Sequence, residues 1–241
     1  MKSKQELREQ FFNLGWKKEP QGESVFEFLY QASKDIPDHS IVLDLGAGEC
    51  RYQFFFEHAH YVPVDFGKGG AHWDFSDIKI FGDITNPQFI QDDSVDFVIN
   101  TVTLEHLNEP RSFLDHVYRV LKPGGKIFLY VPFLAQEDQI PQDFYRYTSY
   151  GLHYLLSDVG FEESVITPTN GAMYSCVTLS QHALSLVPED TAWTTFVKKC
   201  MKSIVGGLVK PGFIYLDQFN YMRMPMCWTV EAKKKGAFIP Y

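Results

Sequence analysis

A short apolar run that ends at two closely spaced glycines limits the folds that this chain can adopt. Residues 41–45 read Ile-Val-Leu-Asp-Leu and predict a buried strand, and Gly46 and Gly48 follow directly. Glycine lacks a Cβ atom, so the backbone can turn sharply there and pass close to a ligand. A glycine turn between a strand and a helix is where doubly wound α/β proteins bind nucleotide-like cofactors. The run therefore predicts an α/β fold with a cofactor site at this turn.

Apolar runs and helical stripes alternate along much of the chain. Strands are predicted at 41–45, 61–65, 78–81, 95–100, 126–131 and 161–167, with a last strand from Cys227 to Ala232, and helices at 49–58, 110–121 and 148–159. The strand segments are nearly continuous in apolar residues, as expected where helices cover both faces of a parallel sheet. We therefore predict a doubly wound, mostly parallel, seven-stranded sheet with helices on both faces.

The composition narrows the classes of partner. The 241 residues include 30 Asp and Glu but only 22 Lys and Arg, which gives a net charge of −8. A nucleic-acid groove needs a basic face, so we expect no nucleic-acid partner. No apolar run reaches the length of a membrane-spanning helix, so we expect no membrane partner. The four cysteines are dispersed, which predicts no disulfide framework, no metal site and a reducing, cytoplasmic setting.

Three acidic residues accompany the ends of three successive predicted strands. Asp44 lies at the end of the first strand, Asp65 ends the second and Asp83 follows the third. The carboxyl ends of parallel strands lie along one edge of a sheet, where ligands bind. Asp65 can accept hydrogen bonds there from both hydroxyls of a ribose. Asp83 can accept one from the amine of an adenine, and Asp44 can orient the turn or face an ammonium group.

A dinucleotide fits this turn less well than a cationic nucleoside does. The dinucleotide fingerprint needs a glycine or alanine where this chain has Arg51, and Asp44 would repel a diphosphate. S-adenosylmethionine combines a sulfonium, an amino-acid end and an adenosine. These groups suit the three acids, so we expect S-adenosylmethionine as the cofactor.

These residues resemble the motifs of the class I S-adenosylmethionine-dependent methyltransferases. The segment 44–48 resembles their first motif, Asp65 the acid after their second strand, and 82–84 their adenine-side motif. Segments 93–98, 104–107 and 121–126 are similar to their fourth-strand motif, the residues after it and the turn before their fifth strand. The match covers residues 40–167. Cys50 stands where the fullest form of the first motif has a third glycine.

The resemblance implies a Rossmann-like methyltransferase fold and a set of cofactor contacts. Those contacts are Asp44, Gly46, Ala47, Gly48, Asp65, Phe66, Asp83, Ile84, Asn100 and Thr101. The expected domains are an N-terminal helical segment at 1–36 that covers the cofactor site, a cofactor-binding core at 37–167, a helical insertion at 168–224 that caps the acceptor, and the last strand with the C-terminus at 225–241.

Methyl transfer from a sulfonium is an in-line displacement, so positioning of the acceptor supplies much of the rate. A base is needed only if the acceptor must lose a proton. His106 is the first candidate for that base, although it can equally pack or cap the following helix. The segment 142–148 is the second catalytic candidate, in which Tyr145 offers a hydroxyl and Arg146 offers a guanidinium that can bind a carboxylate or phosphate. The alternative for Arg146 is a packed loop in which it pairs with Asp143.

We therefore expect a methyltransferase that acts on an oxygen, or else a nitrogen, of a small-molecule metabolite. The run at 144–148 is similar to one found in a branch of the family that includes small-molecule enzymes. The Asn/Asp-Pro-Pro-Tyr signature of enzymes that methylate nucleic-acid amines is absent, and 100–103 stands in its place. A non-catalytic S-adenosylmethionine-binding partner subunit is the alternative, although all three acids and both glycines are present. A nicotinamide oxidoreductase is disfavoured by Asp44 and Arg51.

Overall fold

One sheet of seven strands runs through the computed structural model, which describes residues 2–69, 72–217 and 223–236. The strands are β1 (Ile41–Leu45), β2 (His60–Asp65), β3 (Ile80–Phe81), β4 (Val95–Thr101), β5 (Leu121–Pro132), β6 (Phe161–Pro168) and β7 (Cys227–Lys234). Their order is β3-β2-β1-β4-β5-β7-β6. Of these seven strands, β7 alone runs in the direction opposite to the other six. The predicted mostly parallel sheet is confirmed.

Seven α-helices accompany the sheet within the described residues. They are α1 (Lys4–Asn13), α2 (Pro20–Asp35), α3 (Pro110–Val120), α4 (Ser149–Val159), α5 (Ala172–Leu186), α6 (Ala192–Ile204) and α7 (Lys210–Asp217), with 3₁₀ turns at Gln53–Phe55 and Leu104–His106 and a π-helical turn at Val205–Val209. None of the helices in these ranges is long and apolar enough to cross a membrane.

Side chains alternate between the two faces of the strands, so the sheet has two separate cores. On one face, α3 and α4 cover the strands with buried apolar residues, namely Phe113, Leu114, Val117, Val120, Leu152 and Leu156. The members from α3 recur at the helical period, which is why the sequence pattern predicts that helix well. Thr148 caps α4 by accepting a hydrogen bond from the N–H of Gly151.

The other face carries an aromatic core under α1 and α2. The ring of Phe11 lies 5.1 to 6.2 Å from five other rings, those of Phe12, Trp16, Phe26, Tyr52 and Phe55. Ring pairs at such separations add about 0.5–1.5 kcal/mol each beyond the burial of their area. The hydroxyls of Ser24 in α2 and Tyr130 in β5 also lie 3.0 Å apart. These contacts hold the N-terminal helices against the sheet.

The prediction of a helix over 49–58 is wrong, because the chain after the glycine turn forms only a 3₁₀ turn. Cys50 has a φ of 51°, a left-handed conformation that cannot continue into a right-handed helix. Phe54, Phe55 and Phe56 are then all buried in the aromatic core. An α-helix presents one stripe to a core, so three consecutive buried side chains require a less regular backbone.

Helices α5 to α7 lie between β6 and β7, and the two ends of this segment meet. The carboxylate of Asp217, the last residue of α7, accepts hydrogen bonds of 2.8 Å from the N–H groups of Met173 and Tyr174. It thereby satisfies free donors in the first turn of α5. A Cβ on Gly171 would collide with that carboxylate, so glycine is required there. Residues 218–222 and 237–241 of the expected domains lie outside the described ranges.

Replacing Phe11 by alanine should lower the free energy of unfolding by about 3–5 kcal/mol, because the side chain is fully buried among other rings. Phe196 is a matched control, since it also lies on a helix but is exposed. Phe196→Ala should change stability by less than about 0.5 kcal/mol. Urea unfolding followed by circular dichroism measures both, and equal losses from the two substitutions would contradict the packing described above.

Candidate functional site

The ends of β1, β2 and β4 lie side by side along one edge of the sheet. The strand register pairs Leu45 with Val64, and Asp44 with Ile99. All three strands run parallel, so the segments that follow them leave the sheet at the same edge. The glycine turn, the loop after β2 and the segment 100–103 are therefore neighbours. We call this the cofactor edge.

The turns that follow β1 and β4 are in direct contact. Gly46 has a φ of 83°, and a Cβ there would come within 2.5 Å of the Thr103 side chain, so this approach requires glycine. The buried amide of Asn100 donates a hydrogen bond of 2.6 Å to the carbonyl of Leu45. Val102 has a φ of 52°, which strains a β-branched residue. Strain of this kind is concentrated at functional sites.

Asp65 joins the glycine turn to the loop after β2. Its Oδ2 accepts a hydrogen bond of 2.9 Å from the N–H of Gly48, and its Oδ1 accepts one of 2.8 Å from Gly67. A carboxylate offers about four lone-pair positions, so both oxygens keep the capacity to accept a ligand hydroxyl. Because the backbone already holds the carboxylate in place, a diol that binds it costs little side-chain entropy.

Asp44 is a buried carboxyl group with one unpaired oxygen. Its Oδ2 accepts a hydrogen bond from the hydroxyl of Tyr61, whereas Oδ1 has no partner within the described ranges. Burial raises the pKa of Asp44 to about 7, and the charge of Asp65 adds to that rise. The Oδ1 of Asn100 is a second buried oxygen that lacks a partner there. Unpaired buried acceptors are costly, so this edge fits a ligand that brings N–H donors, such as the ammonium end of S-adenosylmethionine.

The residues expected to receive adenine lie on the loops after β2 and β3. The ring of Phe66 is 55% exposed, and the Lys68 ammonium lies 4.6 Å from its centre. The exposed Asp83 accepts hydrogen bonds of 2.8 and 2.6 Å at Oδ1 from the N–H and hydroxyl of Thr85. Ile84 is buried beside it. An aromatic face and a carboxylate are thus accessible at this end of the cofactor edge.

Trp73 lies against the glycine turn from the side of the loop after β2. A Cβ on Gly48 would come within 3.2 Å of its ring, and one on Gly69 within 2.6 Å. The indole therefore covers both glycines. From the sequence, Trp73 is either a residue that flanks the adenosine or part of a plain surface loop, and its contact with Gly48 joins two loops that are distant along the chain.

The three residues considered for catalysis lie where the loop after β5 folds back onto the turn after β4. The carbonyl of Glu105 accepts hydrogen bonds from the N–H groups of Phe144 and Tyr145, at 2.9 and 3.2 Å. The Tyr145 hydroxyl donates to the carbonyl of Asn108 at 3.0 Å. In this arrangement Tyr145 attaches one loop to the other.

The ring of His106 is oriented by the same loop. Its Nδ1 donates a hydrogen bond of 2.6 Å to the carbonyl of Gln142. In the neutral ring this bond places the proton on Nδ1 and leaves the lone pair on Nε2. The side-chain nitrogen of Gln139 lies 3.3 Å from Nε2. His106 therefore has the tautomer of a base whose reactive nitrogen is Nε2.

Arg146 binds only its own loop. Its two terminal nitrogens contact the carboxylate of Asp143 at 2.6 and 2.7 Å, and its remaining N–H groups donate to the carbonyls of Ala135, Gln136 and Tyr145. These bonds use all five N–H donors of the guanidinium. They also hold the pKa of Asp143 at about 2. The pairing with Asp143 that the sequence left open is thus present, and Arg146 positions the loop.

Sequence reasoning gives Glu105 only a packing role, yet the structure makes it a buried acid. It is 2% exposed, and its Oε2 has no partner within the described residues. Its Oε1 lies 3.7 Å from Nε2 of His106. Burial raises the pKa of Glu105 to about 8. A carboxyl group that exchanges its proton near neutral pH beside an imidazole is suited to proton transfer.

A cavity of about 340 Å³ lies between α5 and the segment that joins α1 to α2. Tyr174, Thr178 and His182 line it from α5, and their spacing of four places them on one face of the helix. Thr178 is 7% exposed, and neither its hydroxyl nor Nδ1 of His182 has a partner in the described part of the chain. Arg51, three residues past the glycine turn, lines the opposite side. The cavity therefore reaches the segment that follows the glycine turn.

We compared the chain with family models, with curated proteins and with solved structures. A family model described as a methyltransferase domain matches residues 43–129, a span that includes Asp65, Asp83 and His106. A comparison with curated proteins finds no match.

Several solved structures have a similar fold. One is phosphoethanolamine N-methyltransferase 2 of Haemonchus contortus, with phosphomonomethylethanolamine and S-adenosylhomocysteine bound (TM-score 0.51, 15% identity, 86% of this chain and 52% of that chain). Another is a SAM dependent methyltransferase from Archaeoglobus fulgidus (0.55, 17%, 86% and 94%). The [4+2]-cyclase SpnF is also similar (0.57, 13%, 92% and 87%). The chain spans about half the length of the Haemonchus structures that it matches. At these identities the likeness shows the fold, and the predicted Rossmann-like methyltransferase fold is confirmed.

Glu105→Gln should stabilise the protein increasingly as the pH rises. Folded Glu105 keeps its proton up to about pH 8, whereas the unfolded chain releases it near the ordinary pKa of 4.5, so the wild-type protein loses stability between these values. Glutamine cannot ionise, and the difference between variant and wild type should grow by at most about 1.4 kcal/mol per pH unit in this window. Thermal unfolding from pH 5 to 9 measures it. Curves that stay parallel would mean that Glu105 ionises normally in the folded protein.

Proposed function

We propose that this chain is a class I S-adenosylmethionine-dependent methyltransferase that transfers a methyl group from this cofactor to an oxygen, or else a nitrogen, of a small-molecule metabolite. The observation that carries the proposal is the cofactor edge, which brings together the Asp65 carboxylate and the unpaired oxygen of Asp44, with a polar cavity at Arg51, three residues past the glycine turn. The edge suits a cationic nucleoside, and the cavity suits a small polar acceptor.

We propose that the cofactor lies along this edge with its ribose on Asp65 and its ammonium group facing Asp44. Phe66, Asp83 and Ile84 receive the adenine, and Gly46, Ala47, Gly48, Asn100 and Thr101 line the remainder. When bound, S-adenosylmethionine supplies a methyl group that its sulfonium has already activated. The chain therefore has to hold the cofactor and bring an acceptor atom in line with that group.

His106 is the proposed base for an acceptor that must lose a proton. Its bond to the carbonyl of Gln142 fixes the ring, and Nε2, which carries the lone pair beside the Gln139 amide, takes the proton. The neighbouring Glu105 carboxyl, whose pKa burial raises to about 8, lies 3.7 Å from this nitrogen. Tyr145 and Arg146 act through the loop that they hold together, so we assign them positioning roles.

We further propose that the acceptor binds in the cavity beside α5. Its volume of about 340 Å³ is at the lower end of the usual range for small-molecule sites. The unpaired hydroxyl of Thr178 and Nδ1 of His182 can bind a polar group of the acceptor. Lys17 on the other wall suits an anionic group, while Arg51 there is paired with Glu49 and Glu19 with Lys210. In this proposal the α5–α7 segment caps the acceptor, and α1 and α2 cover the cofactor site.

The comparisons suggest one class of acceptor to test first. The Haemonchus enzyme is described with a phosphorylated amino alcohol bound, and Lys17 in the cavity wall suits the phosphate of a small ester. The alternative is a non-catalytic partner subunit that binds S-adenosylmethionine. The intact acids and glycines, together with a polar cavity that holds unpaired groups, favour an enzyme.

Asp65→Ala should weaken the binding of S-adenosylmethionine by about 10- to 100-fold, because two charge-assisted hydrogen bonds to the ribose are lost. Asp77→Ala is the matched control, since Asp77 is an exposed acid in the neighbouring loop, and its affinity should stay the same. Isothermal titration calorimetry measures both. An Asp65→Ala protein with wild-type affinity would remove this residue from the ribose site.

Mass spectrometry of a metabolite panel incubated with the purified protein should reveal a methylated small molecule. With that acceptor, His106→Ala should lower kcat by about 100-fold or more. Thr178→Val should instead raise KM, while preserving cofactor affinity and thermal stability, because it removes only an unpaired hydroxyl.

The pattern of results separates the possibilities. Full cofactor binding without any methylated product would favour the partner subunit. If Thr178→Val leaves KM unchanged, the acceptor binds elsewhere. If His106→Ala leaves kcat unchanged, positioning of the acceptor suffices or another group takes the proton.

A further inference from the structure

The outermost helices of the α5–α7 segment present apolar side chains to solvent. Between Ala192 and Asp217 the one buried residue is a lysine, Lys198. The side chains of Trp193 and Phe196 are 71% and 59% exposed. We define the outer helical face as the exposed apolar residues of α6 and the π-helical turn, which are Trp193, Phe196, Val197, Met201, Ile204 and Leu208.

This face inverts the usual arrangement of a surface helix. Such a helix normally packs its apolar stripe on the core and directs its lysines outward. In α6 the stripe has the helical spacing of three and four residues but is exposed. Lys198 points inward, donates to the carbonyls of Ser185 and Val187 at 3.1 and 2.7 Å, and pairs with Glu189 at 3.0 Å. The helix is therefore anchored through its polar side, which leaves its apolar side available.

The charge of this segment is opposite to that of the whole chain. Residues 191–216 contain four lysines and no acid, with Glu189, Asp190 and Asp217 just outside this range, while the chain has a net charge of −8. Lys210 pairs with Glu19 at 2.7 Å. Lys199 and Lys202 are exposed on α6. Aromatic side chains on one side of a helix and lysines beside them are the composition of helices that lie in a membrane interface.

We propose that the outer helical face binds the surface of a lipid bilayer that contains anionic lipids. Trp193 and Phe196 enter the head-group region, where aromatic rings are favoured. Lys199 and Lys202 remain at the level of the lipid phosphates, to which each lysine adds attraction. The acidic remainder of the chain is repelled by the same surface, so the protein is oriented with this face toward the bilayer.

This proposal replaces the expectation of no membrane partner. That expectation came from the lack of a spanning run, whereas binding in the interface needs only an amphipathic helix such as α6. A second copy of the chain explains the face less well, because the cores of protein interfaces are depleted in lysine. The proposal is independent of which acceptor is methylated.

Co-sedimentation of the full chain with vesicles tests the proposal. The wild-type protein should bind vesicles of phosphatidylcholine mixed with phosphatidylglycerol. Its affinity for vesicles of pure phosphatidylcholine should be lower by about tenfold or more. The double variant Trp193→Ser with Phe196→Ser, and the double variant Lys199→Glu with Lys202→Glu, should each lose about tenfold or more of the binding to mixed vesicles. Tyr150→Ser with Tyr154→Ser is the matched control, because these exposed aromatics lie on α4, and its binding should equal that of the wild type.

Thermal unfolding of each variant shows whether it still folds, which is expected because all the substituted side chains are exposed. Wild-type protein that stays in the supernatant overturns the proposal, as does binding that the α6 substitutions leave unchanged. Light scattering without lipid provides a further check. A concentration-dependent dimer that Trp193→Ser with Phe196→Ser abolishes would assign the face to a second copy and also overturn the proposal.

Discussion

The close contact between Gly46 and Thr103 determines the shape of the cofactor edge. Neighbouring strands are only about 4.8 Å apart, so the turns after β1 and β4 must either diverge or touch. The missing Cβ and positive φ of Gly46 allow them to touch, and the Asn100 bond to the Leu45 carbonyl holds them there. Any larger side chain at Gly46 would displace the turn after β4. The orientation of the groups on that turn, including the His106 ring, thus depends on one absent methyl group.

Burial explains why carboxyl groups in this protein act so differently from one another. Asp143 is fully paired with Arg146 and is ionised down to about pH 2, so it serves the loop in which it lies. Asp44 and Glu105 are buried with an oxygen unpaired, and their pKa values rise to about 7 and about 8. The folded chain therefore carries unsatisfied acceptors near the cofactor edge. Such groups lower stability, and a ligand that supplies donors relieves the cost.

The sequence predicts the sheet well because nearly continuous apolar runs and glycine turns are local signals. The acids at 44, 65 and 83 follow from the same signals, since strand order places strand ends at one edge. The segment 49–58 escapes prediction because the burial of Phe54 to Phe56 is decided by α1 and α2 from elsewhere in the chain. The burial of Glu105 and the cavity next to Thr178 are likewise tertiary facts. The spacing of Tyr174, Thr178 and His182 was a readable signal, but only a partner surface gives it meaning.

The cap that Asp217 provides for α5 makes the α5–α7 segment a closed unit. Its first turn and its last residue are bonded to each other, next to the ends of the strands that flank it. A unit whose entry and exit coincide can change in length and composition without pulling on the sheet, as inserted domains with adjacent termini do. The segment can therefore be replaced as a unit during evolution. Proteins that share the sheet and the cofactor edge can in this way differ in the acceptor that they bind and in the cellular surface that they contact.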